Sequence, residues 1–560
     1  MSWHVYAYRA LATFAVLCAI STVAPAQSST ATVSTTHGPV TGAALPGNVT
    51  VFKGIRYAQA PAGDLRWKPP VPASAWTETL SATEFAPSCM QPRLPQGNVY
   101  LDEPPRMSED CLYLNVWKPA RASKAPVMVW IHGGALRYGN LASGLFDGSQ
   151  LARKDVVVVT LNYRLGVLGY LAHPELTAES PQHSSGNYGL LDQLEALRWV
   201  RDNIARFGGD PQNVTLFGQS AGALSTIELM TSPLARGLFH KVIVQSGYMV
   251  SNRDLQRPSF GQPSSEAVGA ALGEKLGAPN LPALRAIEAT ALIKGSHEAG
   301  FDPQATIDGW VLPRQIVDAF DRGEQAAVPM IAGFTAGEVR SLRFFIPKLP
   351  ANAAEYESKV RGLYGDLADL YLQFYPASNI EESALAAARD GFYGWSAQRL
   401  VRKQSKLGLP AYLYFFEHHY PAQEALHLEA FHASELPYEF GALQSGGRLP
   451  QNWPLPPDNA DERALSEAIM NYFTSFARSG KPTARKAPVW KPFAQGEAYL
   501  DVRETPHLSS KVLPGRYELH EQIVSRRRAS GEQNWYINVG LAAPVLPADT
   551  SRNEPPRDAR

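Results

Sequence analysis

Ser220 stands between glycines in the run Phe217-Gly218-Gln219-Ser220-Ala221-Gly222, which has the pattern G-x-S-x-G. That pattern marks a sharp strand-to-helix turn that lifts a serine hydroxyl above the edge of a sheet. The motif alone is weak, so its surroundings decide. Val214-Thr215-Leu216-Phe217 is an apolar, β-branched run of strand type, and the small residues Ala221, Gly222 and Ala223 open a helix. Gly218 and Gly222 have a steric reason, because a side chain on either flank of the strained turn would press on its neighbours. A serine hydroxyl is a poor nucleophile at neutral pH. It needs a base to take its proton, a group to orient that base, and donors aimed at the developing oxyanion. Candidate donors lie in Ile131-His132-Gly133-Gly134-Ala135, directly after a predicted strand. The backbone N–H groups of Gly134, Ala135 and Ala221 would receive the oxyanion, with Gly133 shaping the loop.

These residues need a frame to hold them. Pro126–Ile131 and Val156–Leu161 are continuous apolar runs, as expected for strands covered on both faces. Between Asp192 and Ile204, the residues Leu194, Leu197, Val200 and Ile204 recur at helical spacing. Phe207-Gly208-Gly209-Asp210-Pro211 ends that helix before the strand into Ser220. Strand, helix, strand is the grammar of a mostly parallel sheet. Val242–Val244 reads as another buried strand. The stretch from about 252 to 321 is helical and loop-like, and is expected to cap the sheet's carboxyl edge. Glu462 to Arg478 reads as a helix closed by Gly480 and Pro482.

Composition bounds the rest. The 560 residues are 45% hydrophobic and 19% charged, ample for a large core. Lys+Arg and Asp+Glu are both 52, so net charge gives no electrostatic case for nucleic acid or an anionic membrane. A small neutral or weakly charged substrate fits better. Ala10 to Val23 is apolar, preceded by Arg9 and followed by Ala24-Pro25-Ala26, so residues 1–26 read as a signal peptide. Cleavage there would leave Gln27 first, in a secreted or periplasmic protein without a transmembrane anchor. Cys18 would leave with the signal. Cys89 and Cys111 remain as an even pair suited to an oxidising compartment. At the far end, residues 526–560 begin with Arg526-Arg527-Arg528, lack sustained periodicity and read as a flexible tail, with Trp535 available for local docking. The main domain then spans 27–525.

Four further segments, Phe52–Tyr57, Ser108–Asn115, Asn162–Gly166 and Gly186–Asp192, occur in order with the serine turn and the glycine loop. With them the chain resembles the type-B carboxylesterases, a family that also holds the cholinesterases and the non-catalytic neuroligins. The likeness runs from around Gly38 to about His520. It implies the α/β-hydrolase fold of the α/β class, a large mostly parallel sheet with helical insertions forming a cap and gorge. It also supplies the partners that spacing does not. The family's acid lies five residues after a glycine that follows a strand, which matches Gly333 and Glu338. Its histidine opens a motif like Phe431-His432-Ala433-Ser434-Glu435-Leu436-Pro437-Tyr438-Glu439-Phe440-Gly441, which matches His432. Taken alone, His432 is one of 13 histidines and Glu338 one carboxylate among many. The resemblance also implies a Cys89–Cys111 disulfide.

The function implied is a serine hydrolase that cleaves small-molecule carboxylic esters through Ser220, His432 and Glu338, with no metal or other cofactor. Amide or carbamate cleavage by the same triad, and a neuroligin-like binding protein without catalysis, are the alternatives. Three departures stand out. Ala135 replaces the family's third oxyanion glycine, Gln219 stands where cholinesterases carry Glu, and Leu101 where they carry a cation-binding Trp. Lacking an acidic neighbour and a stacking ring, the site is not expected to favour choline esters. Arg137, Arg340 and Arg343 lie near the motifs in sequence and offer an anion-reading alternative to plain solvation or local pairing.

Overall fold

Among the described residues, thirteen strands join in one sheet whose centre is parallel: Val157–Leu161, Ala125–Ile131, Gly209–Gln219, Lys241–Gln245, Met330–Thr335, Ala411–Phe416 and Ala498–Val502, in that spatial order. Antiparallel strands close both ends. The computed structural model describes residues 31–445, 448–535 and 539–549. The expected signal peptide and Gln27 lie outside the described residues.

Strand periodicity explains how this sheet builds two cores at once. Successive side chains point to opposite faces. Val127, Val129 and Ile131 enter one core, and Met128 and Trp130 the other. Val242 and Val244 part from Ile243 in the same way. The helices Tyr188–Asn203 and Ala221–Thr231 bury apolar residues in the first core. Ala460–Ser479 serves the second, its start capped by the Asn459 side chain accepting from the Glu462 N–H and its end by Gly480 at φ 75°. The expected strands and helices are present, with ends shifted by a few residues. The strand into Ser220 starts earlier, at Gly209, through an irregularity between Gly209 and Val214.

Two expectations need correction. Residues 252–321 do form helices, including Ser265–Lys275 and Ala289–Glu298, but they do not roof the site. Their Leu272, Leu284 and Leu292 join the first core and thicken one face of the sheet. The tail boundary at 526 also fails, because it falls inside the helix Arg516–Ser530. Arg527 is buried there, Trp535 donates its Nε1–H to the Met249 carbonyl at 3.0 Å, and Leu541 and Leu546 pack among Tyr356, Tyr364 and Tyr371. Sparse apolar residues at irregular spacing leave no periodic signal, although each fills a slot made by a distant segment. Residues 550–560 lie outside the described residues.

Candidate active site

The turn at Ser220 is built by close approach. Ser220 has φ 57° and ψ −123°, a left-handed, strained conformation for a residue with a side chain. Its N–H is anchored on the Gln245 carbonyl of the neighbouring strand at 2.9 Å. A Cβ on Gly222 would come within 2.0 Å of the Ile131 carbonyl oxygen, and one on Gly218 within 2.6 Å of the Gly222 backbone. Both glycines are therefore required by contact, as the motif suggested. Ala221, fully buried, begins the helix with its N–H in the first turn, where amides lack intrahelical partners.

The glycine loop follows the adjacent strand, whose Ile131 pairs with Gly218. Gly133, Gly134 and Ala135 line the same cavity as Ser220. The Gly134 carbonyl accepts from the Arg137 and Tyr138 N–H groups at 3.0 and 2.8 Å, which folds the loop tightly. Ala135 sits at φ 55°, a conformation that suits glycine, so its methyl is held under strain at the cavity wall. Beneath the loop, His132 stacks on Tyr163 with 4.6 Å between ring centres. Burial lowers His132 to about 4, so it is neutral at physiological pH.

Glu338 and His432, 94 residues apart, meet because their loops are stitched together. They follow the neighbouring strands Met330–Thr335 and Ala411–Phe416, and the Gly337 N–H donates to the Ala430 carbonyl at 2.8 Å. Glu338 is fully buried. One carboxylate oxygen accepts the Thr335 N–H at 2.9 Å, and the other faces His432 Nδ1 at hydrogen-bond distance. Tyr100 donates its hydroxyl to the His432 carbonyl at 2.8 Å and pairs with the Ser341 hydroxyl at 2.6 Å. Tyr393 lies 5.2 Å away, ring to ring. At Nε2 the imidazole meets the side-chain amide nitrogen of Gln219 at 3.1 Å.

Ser220, the glycine loop and His432 open into one cavity of about 310 Å³. Its roof comes from the segment between Cys89 and Cys111, which are disulfide-bonded, and from Leu342, Phe344 and Phe345 around the turn Arg343–Phe345. The walls are largely apolar, with Leu101, Phe146, Phe344, Phe345 and Trp453 among them. None of the three arginines singled out in sequence lines it. Arg340 pairs with Glu382 and Glu429, Arg343 with Glu381, and Arg137 with Asp302 and the Phe301 carbonyl. The anion-reading alternative therefore lacks its arginines.

Behind the histidine lies a feature that residue types alone did not reveal. Glu435 and Glu439 are both buried, with Gln245 donating its amide to Glu439 Oε2 at 2.6 Å. Desolvation raises Glu439 to about 8 and pushes Glu435 well above the usual carboxylate range, helped by the charges of Glu338 and Glu439. Both belong to the histidine motif, where their four-residue spacing was the available signal. The Gln219 contact and the aromatic roof were also missed, because both join segments far apart in sequence.

A model of the carboxylesterase family matches residues 29–519. A fumonisin B1 esterase of Sphingopyxis macrogoltabida is 39% identical over 488 residues, 82% of this chain and 84% of that protein. A para-nitrobenzyl esterase of Bacillus subtilis is 35% identical, covering 86% of this chain and 95% of that one. Among solved structures, a PNB esterase aligns with a TM-score of 0.74 at 31% identity, over 87% of this chain and 99% of that one. A carboxylesterase of Geobacillus stearothermophilus gives 0.73 at 31%, over 90% and 100%. The chain belongs to the carboxylesterase family and is a carboxylic ester hydrolase with the α/β-hydrolase fold.

Proposed function

We propose that the enzyme works through an acyl-enzyme on Ser220. His432 takes the hydroxyl proton as Ser220 attacks the ester carbonyl and passes it to the leaving alcohol. Glu338 keeps the imidazole in the right tautomer and stabilises its charged form. The N–H groups of Gly134, Ala135 and Ala221 receive the oxyanion, with Gly133 shaping the loop. Water then hydrolyses the acyl group by the same path in reverse. The observation that carries this reading is the placing of His432, with Nδ1 on a buried carboxylate and its ring in the cavity wall shared with Ser220.

The walls favour an uncharged ester with apolar groups. Gln219 is neutral and Leu101 offers no π-face, so a choline ester gains neither Coulomb nor cation–π attraction from them. The relatives are named for fumonisin B1 and a para-nitrobenzyl group. Export belongs to the same proposal. The apolar stretch within residues 1–26 and the Cys89–Cys111 bridge both suit an oxidising compartment.

A fluorophosphonate probe tests the nucleophile. It should label Ser220 stoichiometrically, and Ser220→Ala should abolish label and turnover together, a loss on the order of a million-fold. Ser246 is fully buried and should stay unlabelled, so label on it would refute the assignment. Matched neutral, cationic and anionic esters then test selectivity, and a clear cationic preference would contradict the reading of the walls. Mass spectrometry of exported protein should find Gln27 first.

A further inference from the structure

His432 carries a competitor for its own catalytic proton transfer. Because Nδ1 faces the Glu338 carboxylate, the neutral ring keeps its hydrogen there and Nε2 is a lone-pair acceptor. The group facing that lone pair, 3.1 Å from the ring nitrogen, is the side-chain Nε2 of Gln219, which can only donate. Gln219 is 3% exposed, and its carbonyl oxygen lies against Gly133, 3.1 Å from where a Cβ on that glycine would stand. The amide is thus wedged between the glycine loop and the base, one residue before the nucleophile. Ser220 must deliver its proton to that same lone pair. A neutral imidazole has one acceptor position, and two good donors cannot share it at full strength.

We infer that Gln219 is a positioning residue that caps His432 Nε2 in the substrate-free enzyme, and that its amide must withdraw before Ser220 can be deprotonated. This rests on the reading of Ser220 and His432 as nucleophile and base. The cap holds the ring in register between turnovers, at the cost of one hydrogen bond that acylation has to break. A glutamate at this position could not play the part, since an ionised carboxylate has no hydrogen to donate to a neutral ring.

The test is the second-order rate of fluorophosphonate labelling in Gln219→Met and Gln219→Leu, with the labelled peptide identified by mass. Both variants keep bulk and remove the donor. Labelling at Ser220 should accelerate about fivefold, the kinetic equivalent of one net hydrogen bond. With an ester whose acylation limits turnover, kcat should rise by the same factor while KM holds, a split that general loosening of the site would not produce. Labelling of Ser220 at the wild-type rate or slower in both variants overturns the cap and leaves the triad standing. Label on another serine overturns both. Should neither variant fold, 15N-histidine spectra of Ser220→Ala decide, since that protein has lost the competing serine donor. A hydrogen-bonded acceptor signal at His432 Nε2 supports the cap, and a free lone pair refutes it.

Discussion

Ser220 and Phe344 line one cavity but are held very differently. The serine is clamped at φ 57° between buried strands, whereas the phenylalanine is 77% exposed on a single 3₁₀ turn. The floor of the site is made of loops at the carboxyl ends of parallel strands, each tied to its neighbour by backbone hydrogen bonds. The roof is made of the disulfide-closed loop and aromatic side chains such as Phe344 and Phe345, whose rings are tilted at 42° with their centres 4.3 Å apart. Strain and backbone position are maintained where many buried contacts over-determine them, so chemistry belongs on the floor. An exposed apolar roof has shape and area but little rigidity, and that suits selection among substrates. Damage to the floor should therefore appear in kcat, and damage to the roof in KM and substrate preference.

The largest expected effects break the floor. Glu338→Gln should retain the fold, with an unfolding free energy from urea titration unchanged to within about 1 kcal/mol, yet lose about 10⁴-fold in kcat as the imidazole loses its orienting carboxylate. His432→Ala should be at least as damaging. Near wild-type kcat in Glu338→Gln would remove the acid from its role and erase the contrast between floor and roof.

The next effect tests the layer beneath the floor. Glu439 is raised by burial to about 8 from an ordinary 4.5, so the folded state holds a proton that the unfolded chain releases. Its contribution to stability is complete below about pH 4.5 and is lost as pH rises towards 8. Glu435 and Glu228, the latter also raised to about 8 by burial, push the same way. Between pH 5 and 8, urea unfolding should show stability falling by a few kcal/mol, and Glu439→Gln should flatten part of that slope. A stability that rises over this range would contradict the buried, protonated state.

The roof comes next. Replacing Cys89 and Cys111 together by Ser should cost about 3 kcal/mol of stability. The ratio of kcat/KM between bulky and small esters should change more than kcat for the small ester. If kcat for both collapses equally, the loop positions the floor as well and the division fails. Phe344→Ala should have the smallest effect. A several-fold rise in KM is expected for esters with large apolar acyl or alcohol groups, and almost none for acetate esters, measured as initial rates across a chain-length series. An equal change for all esters would show that Phe344 is not a selector.

Much of the floor is legible in the sequence, for local reasons. Gly218 and Gly222 announce the turn because a Cβ at either would collide with the next strand or helix, and that requirement is written at fixed spacing. The strands behind Ser220 and Gly133 are continuous apolar runs because they are covered on both faces. The end of helix Ala460–Ser479 was marked in advance by Gly480 and Pro482, although its Asn459 cap was not. Glu338 and His432 are different. Nothing in the local sequence pairs residues 94 apart, and family resemblance picked them out where spacing did not. Their meeting depends on strand order and on the bond from Gly337 to Ala430.

What the sequence determined by itself is therefore the set of short-range devices: the strained serine turn, the glycine loop, the buried strands and the helix stop at Gly480. Each is enforced within a few residues by sterics or hydrogen bonding. Tertiary structure alone decided which surfaces meet. It moved the 252–321 helices off the cavity, docked Trp535 and Leu546 into slots made by distant segments, tied up Arg137, Arg340 and Arg343 in ion pairs, and set the Gln219 amide against His432. The physical reason is common to all four. A side chain's partner across the fold is chosen by the packing of whole elements, and no local spacing rule encodes that choice.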